Sequence, residues 1–258
     1  MTYLVGSIVL YNNDGEMIRN AVNSYFLKND IGKVLYIVDN SPTDRLKTEI
    51  SGRNIRYHFC GKNHGYGKGH NWAIDHAEES KYHLILNPDV IIKPGVIEEL
   101  IEFMDSNPNV GMVCPKVLNE DGSVQHLNKR ITTVYDLLLR KFLPNRFRSV
   151  FQKRLDDYEM KDIGYDKLYD VPLMSGAFML CRTTVLKAVG GFDPRYFMYF
   201  EDYDLSRKIQ KHNYRTVYYP FVSIIHLWGR ASHKSARMLT VFIINGIRYF
   251  NKWGWKFY

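Results

Sequence analysis

Four short apolar segments, each closed by a polar cluster, most narrow what this chain can fold into. Leu4–Tyr11 (LVGSIVLY), Val34–Val38 (VLYIV), Ile55–Phe59 and Tyr82–Leu86 (YHLIL) are short and rich in β-branched and aromatic residues. That is the pattern of buried strands. Glu16–Phe26 carries Met17, Ala21, Val22 and Tyr25 at helical spacing. Gly65–Gly69 reads as a glycine-rich turn, with a helix following over Asn71–Ser80. Alternating strand and helix predicts an α/β fold: a Rossmann-like, mostly parallel sheet flanked by helices. Ligands bind such sheets at the carboxyl ends of the strands. Tyr11-Asn12-Asn13, Asp39-Asn40 and Asn87-Pro88-Asp89 all fall there.

At 258 residues the chain has room for one large α/β domain. Its formal charge of +8 suits phosphate-bearing partners, whether nucleotide, anionic lipid or nucleic acid. Cys60, Cys114 and Cys181 are an odd count without CxxC spacing, so neither a disulfide framework nor a zinc site is expected. The N-terminus lacks the pattern of a secretory signal. The apolar stretch Met238–Ile247 is interrupted by Thr240, Asn245 and Gly246, so no transmembrane helix is expected.

Two regions mix cations with apolar side chains. Residues Lys129–Leu155 hold eight Lys or Arg among Leu, Phe, Val and Tyr. This fits a membrane surface or, equally, a helix pair with a solvated basic face. From Leu205 to Tyr258 there is no Asp or Glu, but there are ten Lys or Arg, and the tail ends IRYFNKWGWKFY. Such a tail fits an anionic membrane interface or a second subunit.

The residues that carry chemistry are ambiguous one by one. Asp39, just past a strand, is placed to accept from a nucleobase N–H, yet also fits a turn. Asn63–Asn71 (NHGYGKGHN) lets backbone approach a phosphate, with Lys68 and His70 as sources of positive charge. It matches neither the GxxxxGK(S/T) loop nor the dinucleotide fingerprint. Asp89 suits a hard cation beside a diphosphate, and Pro88 fixes the local backbone. Ser175-Gly176-Ala177 precedes the run FMLC. Glu201, Asp202 and Asp204 crowd between aromatics, where neighbouring carboxylates raise one another's pKa and one can serve as general base. His226, after a strand-like run, is a candidate metal ligand or a satisfied strand-end histidine.

Together the pieces resemble the family 2 glycosyltransferases of the GT-A fold, and in particular their rhamnosyltransferase-like branch. SIVLYN, VDNSP, N-x-G-Y-G-K-G-H-N, LNPDV, SGAFML, GGFDPRYFMYFEDYDL and H-L-W-G-R-A-S occur in family order over Tyr3–Ser232. The resemblance implies a catalytic domain over residues 1–232, with a nucleotide-binding half (1–125), an acceptor and catalytic half (170–232), and a basic aromatic extension at 233–258. It implies that Tyr11, Asp39, Asn63, Gly65, Lys68, His70 and Asn87 bind the donor nucleotide-sugar. Asp89 and His226 would bind Mg²⁺ or Mn²⁺, and Asp202 would be the base. Glu201, Asp204 and Gly176 would support the site. The first position of the usual DxD motif is Asn87 here, which leaves one obvious carboxylate for the metal.

The implied reaction is inverting transfer, with dTDP-L-rhamnose as donor and a lipid-linked saccharide as acceptor, in cell-surface polysaccharide synthesis. UDP-hexoses and UDP-galactofuranose stay open as donors. The expected location is the cytoplasm, peripheral to the inner face of the membrane, without nucleic acid and with a homodimer left open. A nucleotidyltransferase would carry a basic glycine-rich loop after the first strand, where LYNNDGEM stands instead. A non-enzymatic membrane or nucleic-acid module would leave the ordered acidic motifs unused. A degenerate transferase sits poorly with both Asp89 and Asp202 in place.

Overall fold

β1 (Leu4–Leu10) is buried at every position, as an apolar run with strands on both sides must be. It lies between β2 (Lys33–Asp39) and β4 (Tyr82–Leu86), parallel to both, and β3 (Ile55–Phe59) extends the parallel block beyond β2. The computed structural model describes residues 2–27, 31–227 and 236–258. The remaining strands are β5 (Val90–Ile92), β6 (Val110–Leu118), β7 (Tyr169–Asp170), β8 (Phe178–Arg182) and β9 (Arg215–His226). All nine form one sheet in the order β3-β2-β1-β4-β8-β6-β9-β5, with β7 beside β9.

The parallel sheet expected from the sequence is therefore half of the whole. β8 enters antiparallel between β4 and β6, and β5 and β7 run antiparallel to β9. The strand–helix alternation that forces parallel crossovers stops in the middle of the chain, so the second half mixes these antiparallel pairs with the parallel pair β6–β9.

Strand periodicity sends alternate residues to opposite faces. Leu4, Ile8 and Leu10 join a core with α1 (Gly15–Tyr25) and α3 (Val96–Ser106). Val5 and Val9 face Ala73 of α2 (Tyr66–His76). On that second face, further along the sheet, Ile85, Met112 and Met179 pack with α6 (Thr183–Ala188) and α7 (Glu201–Lys211). Asp14 caps α1 by accepting the Met17 N–H at 3.1 Å, so the chain turns back directly after β1.

The helix expected from Asn71 begins earlier, at Tyr66, and the Gly65–Gly69 stretch is its opening rather than a turn. A Cβ on Gly67 would approach Phe192 Cβ to 2.9 Å, and one on Gly69 would approach Val9 Cγ2 to 2.6 Å. These glycines allow close packing of a helix on the sheet.

The basic middle folds as α4 (Val134–Phe142) and α5 (Gln152–Tyr158). Several of its cations have internal partners: Lys129 lies 3.5 Å from Glu159, Arg130 2.7 Å from Asp162 and Arg154 2.6 Å from Asp136. The last helix, α8 (Ala236–Trp253), docks beside α4 and α7 through a buried cluster of Leu137, Tyr196, Phe200, Tyr249 and Phe250. Among the described residues no helix is long and apolar enough to cross a membrane. The three cysteines are free thiols.

Candidate active site

Strand register assembles the first part of the site. β5 pairs with the end of β9 so that Val90 faces His226, and the Leu227 N–H donates to Asp89 O at 2.9 Å. Asp89 Oδ1 then lies 3.2 Å from His226 Nε2. Gln125 fixes the imidazole. Its Nε2 donates to Asn119 Oδ1 and to the His226 carbonyl, both at 2.7 Å, which turns its Oε1 toward His226 Nδ1 at 2.8 Å. An amide oxygen only accepts, so Nδ1 carries the ring proton. Nε2 is left to face the carboxylate, with the Asn87 amide 3.5 Å away.

An imidazole nitrogen held this way beside a carboxylate oxygen suits a hard divalent cation, and a second partner that orients the ring is the usual support of such a ligand. Among the described residues no group of three or more His, Cys, Asp or Glu is placed so that it could hold a metal ion. Asp89 and His226 are thus two candidate donors, and a cation held by them would take its other ligands from phosphate oxygens and water. Of the motif around His226, residues 228–232 lie outside the described residues.

The residues expected to bind the donor include several at the ends of β1 and β2. Tyr11 is 52% exposed at the end of β1. Asp39 is buried, with Oδ1 accepting the Ser41 N–H at 2.8 Å and Oδ2 accepting the Tyr57 hydroxyl. The carboxylate therefore stands behind Tyr57, and a base would reach it by displacing that hydroxyl. Asn63 Oδ1 accepts the Gly65 N–H at 2.9 Å, and Asn40 Nδ2 donates to Gly65 O at 3.2 Å. Gly65 has φ +92°, and a Cβ there would run into the Phe197 carbonyl.

One expectation here needs correction. His70 does not supply positive charge. It is fully buried, with Nδ1 2.8 Å from Ser7 Oγ, and burial holds its pKa well below the usual histidine range. Its Nε2 has no hydrogen-bond partner among the described residues. Lys68 is exposed on α2, where its charge is free to meet a phosphate.

The candidate catalytic side is built at the start of α7. Two consecutive non-glycine residues, Tyr199 and Phe200, have left-handed backbones with φ of 70° and 69°. Such residues cost about 1–3 kcal/mol each. They turn the chain so that Glu201 and Asp202 open the helix. Asp202 Oδ1 accepts its neighbour Tyr203 N–H at 2.8 Å, and Oδ2 accepts the Gly176 N–H at 3.1 Å. Burial pushes the Asp202 carboxyl up to about 6, against these N–H groups, which hold it down. Glu201, 6% exposed, is pushed up to about 8 by burial and then by the Asp202 charge. Its Oε2 has no hydrogen-bond partner among the described residues. Two carboxyls so placed release their protons in separate steps.

Asp204, expected to shape this site, faces elsewhere. It is fully buried, accepts Trp253 Nε1–H at 2.7 Å and lies 2.8 Å from Lys252 Nζ. Positions two apart on a helix point to different sides, which is why Asp204 leaves Asp202 and meets α8.

Tyr66 and Gln125 were not singled out from the sequence. The Tyr66 hydroxyl donates to Gly176 O at 2.6 Å. Its pKa is raised well above the usual tyrosine value by burial, then by the charges of Glu201, Asp202 and Asp89. The charges of both base candidates and of the candidate metal ligand Asp89 thus reach this one hydroxyl. It lay inside the quoted NHGYGKGHN motif, so a signal existed. Nothing in the sequence joins Gln125 to His226, 101 positions away.

A sequence model of the family described as "Glycosyl transferase family 2" matches residues 7–190. The chain is 27% identical over 277 aligned positions to N-acetylglucosaminyl-diphospho-decaprenol L-rhamnosyltransferase of Mycobacterium tuberculosis, covering 98% of this chain and 87% of that protein. Its fold is similar to that of GalNAc-T7, solved with UDP, GalNAc and Mn²⁺, at TM-score 0.65 and 14% identity over 88% of this chain and 43% of that one. It is also similar to the mannosyltransferase PcManGT of Pyrobaculum calidifontis, solved with GDP-Man and Mn²⁺, at TM-score 0.62 and 15% identity over 95% of this chain and 64% of that one. The chain spans less than two thirds of the length of either solved protein, and these two likenesses are of fold.

Proposed function

The chain belongs to the family 2 glycosyltransferases, among their rhamnosyltransferase-like members, and on that premise we propose that it transfers L-rhamnose from dTDP-L-rhamnose to a lipid-linked saccharide with inversion at the anomeric carbon. The observation that carries this reading is the Gly176–Ala177 loop, whose Gly176 N–H meets Asp202 Oδ2 at 3.1 Å and whose Ala177 carbonyl accepts the Asn87 N–H, two residues before Asp89, at 3.0 Å. A candidate cation-binding carboxylate and a candidate base joined through one loop suit a displacement with diphosphate as leaving group.

Asp202 takes the proton of the acceptor hydroxyl. That oxygen bonds to the anomeric carbon from the face opposite the nucleotide, and the carbon–oxygen bond to the diphosphate breaks with its electron pair on the departing phosphate. The Gly176 N–H holds the Asp202 carboxylate in place during this step. Asp89 and His226 would hold Mn²⁺ or Mg²⁺, which when bound neutralises charge developing on the diphosphate. Tyr11, Asp39, Asn63 and Gly65 surround the end of the sheet where the nucleotide would lie. Positioning and preorganised charge supply most of the rate gain in such a site.

The acceptor class follows the M. tuberculosis relative, whose name specifies a diphospho-decaprenol acceptor. Exposed Leu138, Phe142, Phe147 and Val150 near Lys141 and Arg146, and exposed Ile243, Ile244 and Ile247 on α8, support a peripheral place on the inner leaflet. Calorimetric titration with dTDP-L-rhamnose, UDP-glucose and UDP-galactose, each with Mn²⁺ and again with EDTA, tests the donor. The expected result is binding of dTDP-L-rhamnose that EDTA abolishes. Metal-dependent binding of a UDP-sugar instead would replace the donor, and no metal-dependent binding at all would overturn the reading.

A further inference from the structure

α8 lies beyond residues 7–190, the part matched by the family, and the transfer step described above does not use it. Its inner face is nevertheless devoted to the segment that presents the catalytic carboxylates. Asn245 Nδ2 donates to Met198 O at 2.8 Å, and Arg248 Nη1 donates to Arg195 O at 2.6 Å. Lys252 Nζ bridges Asp193 at 2.9 Å and Asp204 at 2.8 Å. Trp253 Nε1–H reaches Asp204 Oδ1 at 2.7 Å. The Phe200 ring packs on Phe242 and Tyr249, with centroids 5.2 Å and 5.5 Å away.

These contacts fall on both sides of Glu201 and Asp202. Before them stand the two left-handed residues Tyr199 and Phe200, a conformation that persists only where the surroundings over-determine it. After them stands Asp204, a fully buried carboxylate that needs its charged and hydrogen-bonding partners to stay there. One helix supplies what both features require. Asp202 in turn must meet the Gly176 N–H from a separate loop, and a hydrogen bond across two elements is the first to lengthen when one of them shifts.

We propose that Lys252 and Trp253 are positioning residues for the transfer step: through Asp204 and the Tyr199–Phe200 turn they hold the first turn of α7 so that Asp202 is aimed at the acceptor hydroxyl. The inference rests on the reading of Asp202 as the base. A mere brace for the fold would behave differently. Its loss would lower the melting temperature and leave the folded enzyme's turnover and the Asp202 titration untouched. Loss of a positioning contact lengthens the Asp202–Gly176 bond, removes an N–H that favours the ionised form, and leaves burial to push the carboxyl higher.

The test uses the full chain with Trp253→Phe, which keeps the ring and removes the donor, and with Lys252→Met and Lys252→Arg. Asp202→Asn is made alone and combined with Trp253→Phe. Transfer from dTDP-L-rhamnose with Mn²⁺ to a synthetic N-acetylglucosaminyl-diphospho-lipid is measured beside a carboxyl-carbon NMR titration of Asp202, assigned by its absence in Asp202→Asn. Trp253→Phe and Lys252→Met are expected to lower kcat about tenfold with donor KM within about twofold. The Asp202 titration should move upward, Lys252→Arg should recover part of the rate, and Trp253→Phe should add no further loss to Asp202→Asn. Wild-type kcat and an unmoved Asp202 titration in both clasp variants, with Asp202→Asn inactive, would overturn this inference and leave the reading of the base intact. Full activity in Asp202→Asn would remove the base and the inference with it. Should this donor and acceptor give no transfer, the NMR titration decides alone. If Trp253→Phe does not fold, Lys252→Met carries the comparison.

Discussion

Replacing Glu201 by Gln turns the buried carboxyl into a permanently neutral group of nearly the same shape. In the folded protein, burial and then the Asp202 charge raise Glu201 from an ordinary 4.5 to about 8. Between those values the folded state holds a proton that the unfolded chain has released, so stability falls as pH rises. The contribution is complete below about pH 4.5 and lost above about pH 8. Asp202, raised only to about 6, is half ionised at the lower pH, and because both proteins carry it, its remaining share cancels in the difference between them. A comparison between about pH 6 and about pH 9 therefore isolates Glu201, across roughly two pH units at ~1.4 kcal/mol each, or about 3 kcal/mol. Urea unfolding of both proteins at the two pH values measures it. Wild type should lose about 3 kcal/mol more than Glu201→Gln over this interval. Equal losses in the two proteins would refute the claim that Glu201 is buried as an uncharged acid.

The rate should follow the other carboxyl. A base works ionised, so kcat/KM should fall about tenfold per unit as pH drops below the Asp202 value of about 6, and a flat profile down to about pH 5 would contradict the assignment. Gln125→Leu should free the His226 ring and weaken Mn²⁺-dependent donor binding about 10- to 100-fold in calorimetry, with the circular dichroism spectrum unchanged. Gly65→Ala, which combines φ +92° with a collision against Phe197 O, should cost at least about 2 kcal/mol in urea unfolding.

The strands were legible because β-branched and aromatic runs of the right length leave few other folds, and Ile55–Phe59 and Tyr82–Leu86 are strands over those same residues. The start of α2 was not, because three glycines in five residues signal a turn. Here they mark contact with Phe192 and Val9, which only tertiary packing reveals. The separation of Asp204 from Asp202 was readable from helix geometry alone, since residues two apart do not share a face. The neutrality of His70 depends on how deeply strands and helices cover it, which local sequence does not encode. The same holds for the Gly176 N–H on Asp202 and the Gln125 grip on His226, bonds between residues 26 and 101 positions apart. The acidic motif was legible as the start of a helix, while the groups that tune it come from elsewhere in the chain.

Asp202→Asn tests the central claim most directly, with donor binding and sugar transfer measured on the same preparation. The account predicts that Mn²⁺-dependent binding of dTDP-L-rhamnose is kept within a few-fold while transfer to the lipid-linked acceptor drops by about 10²–10⁴-fold, the usual contribution of a general base. Transfer at the wild-type rate by Asp202→Asn would contradict it.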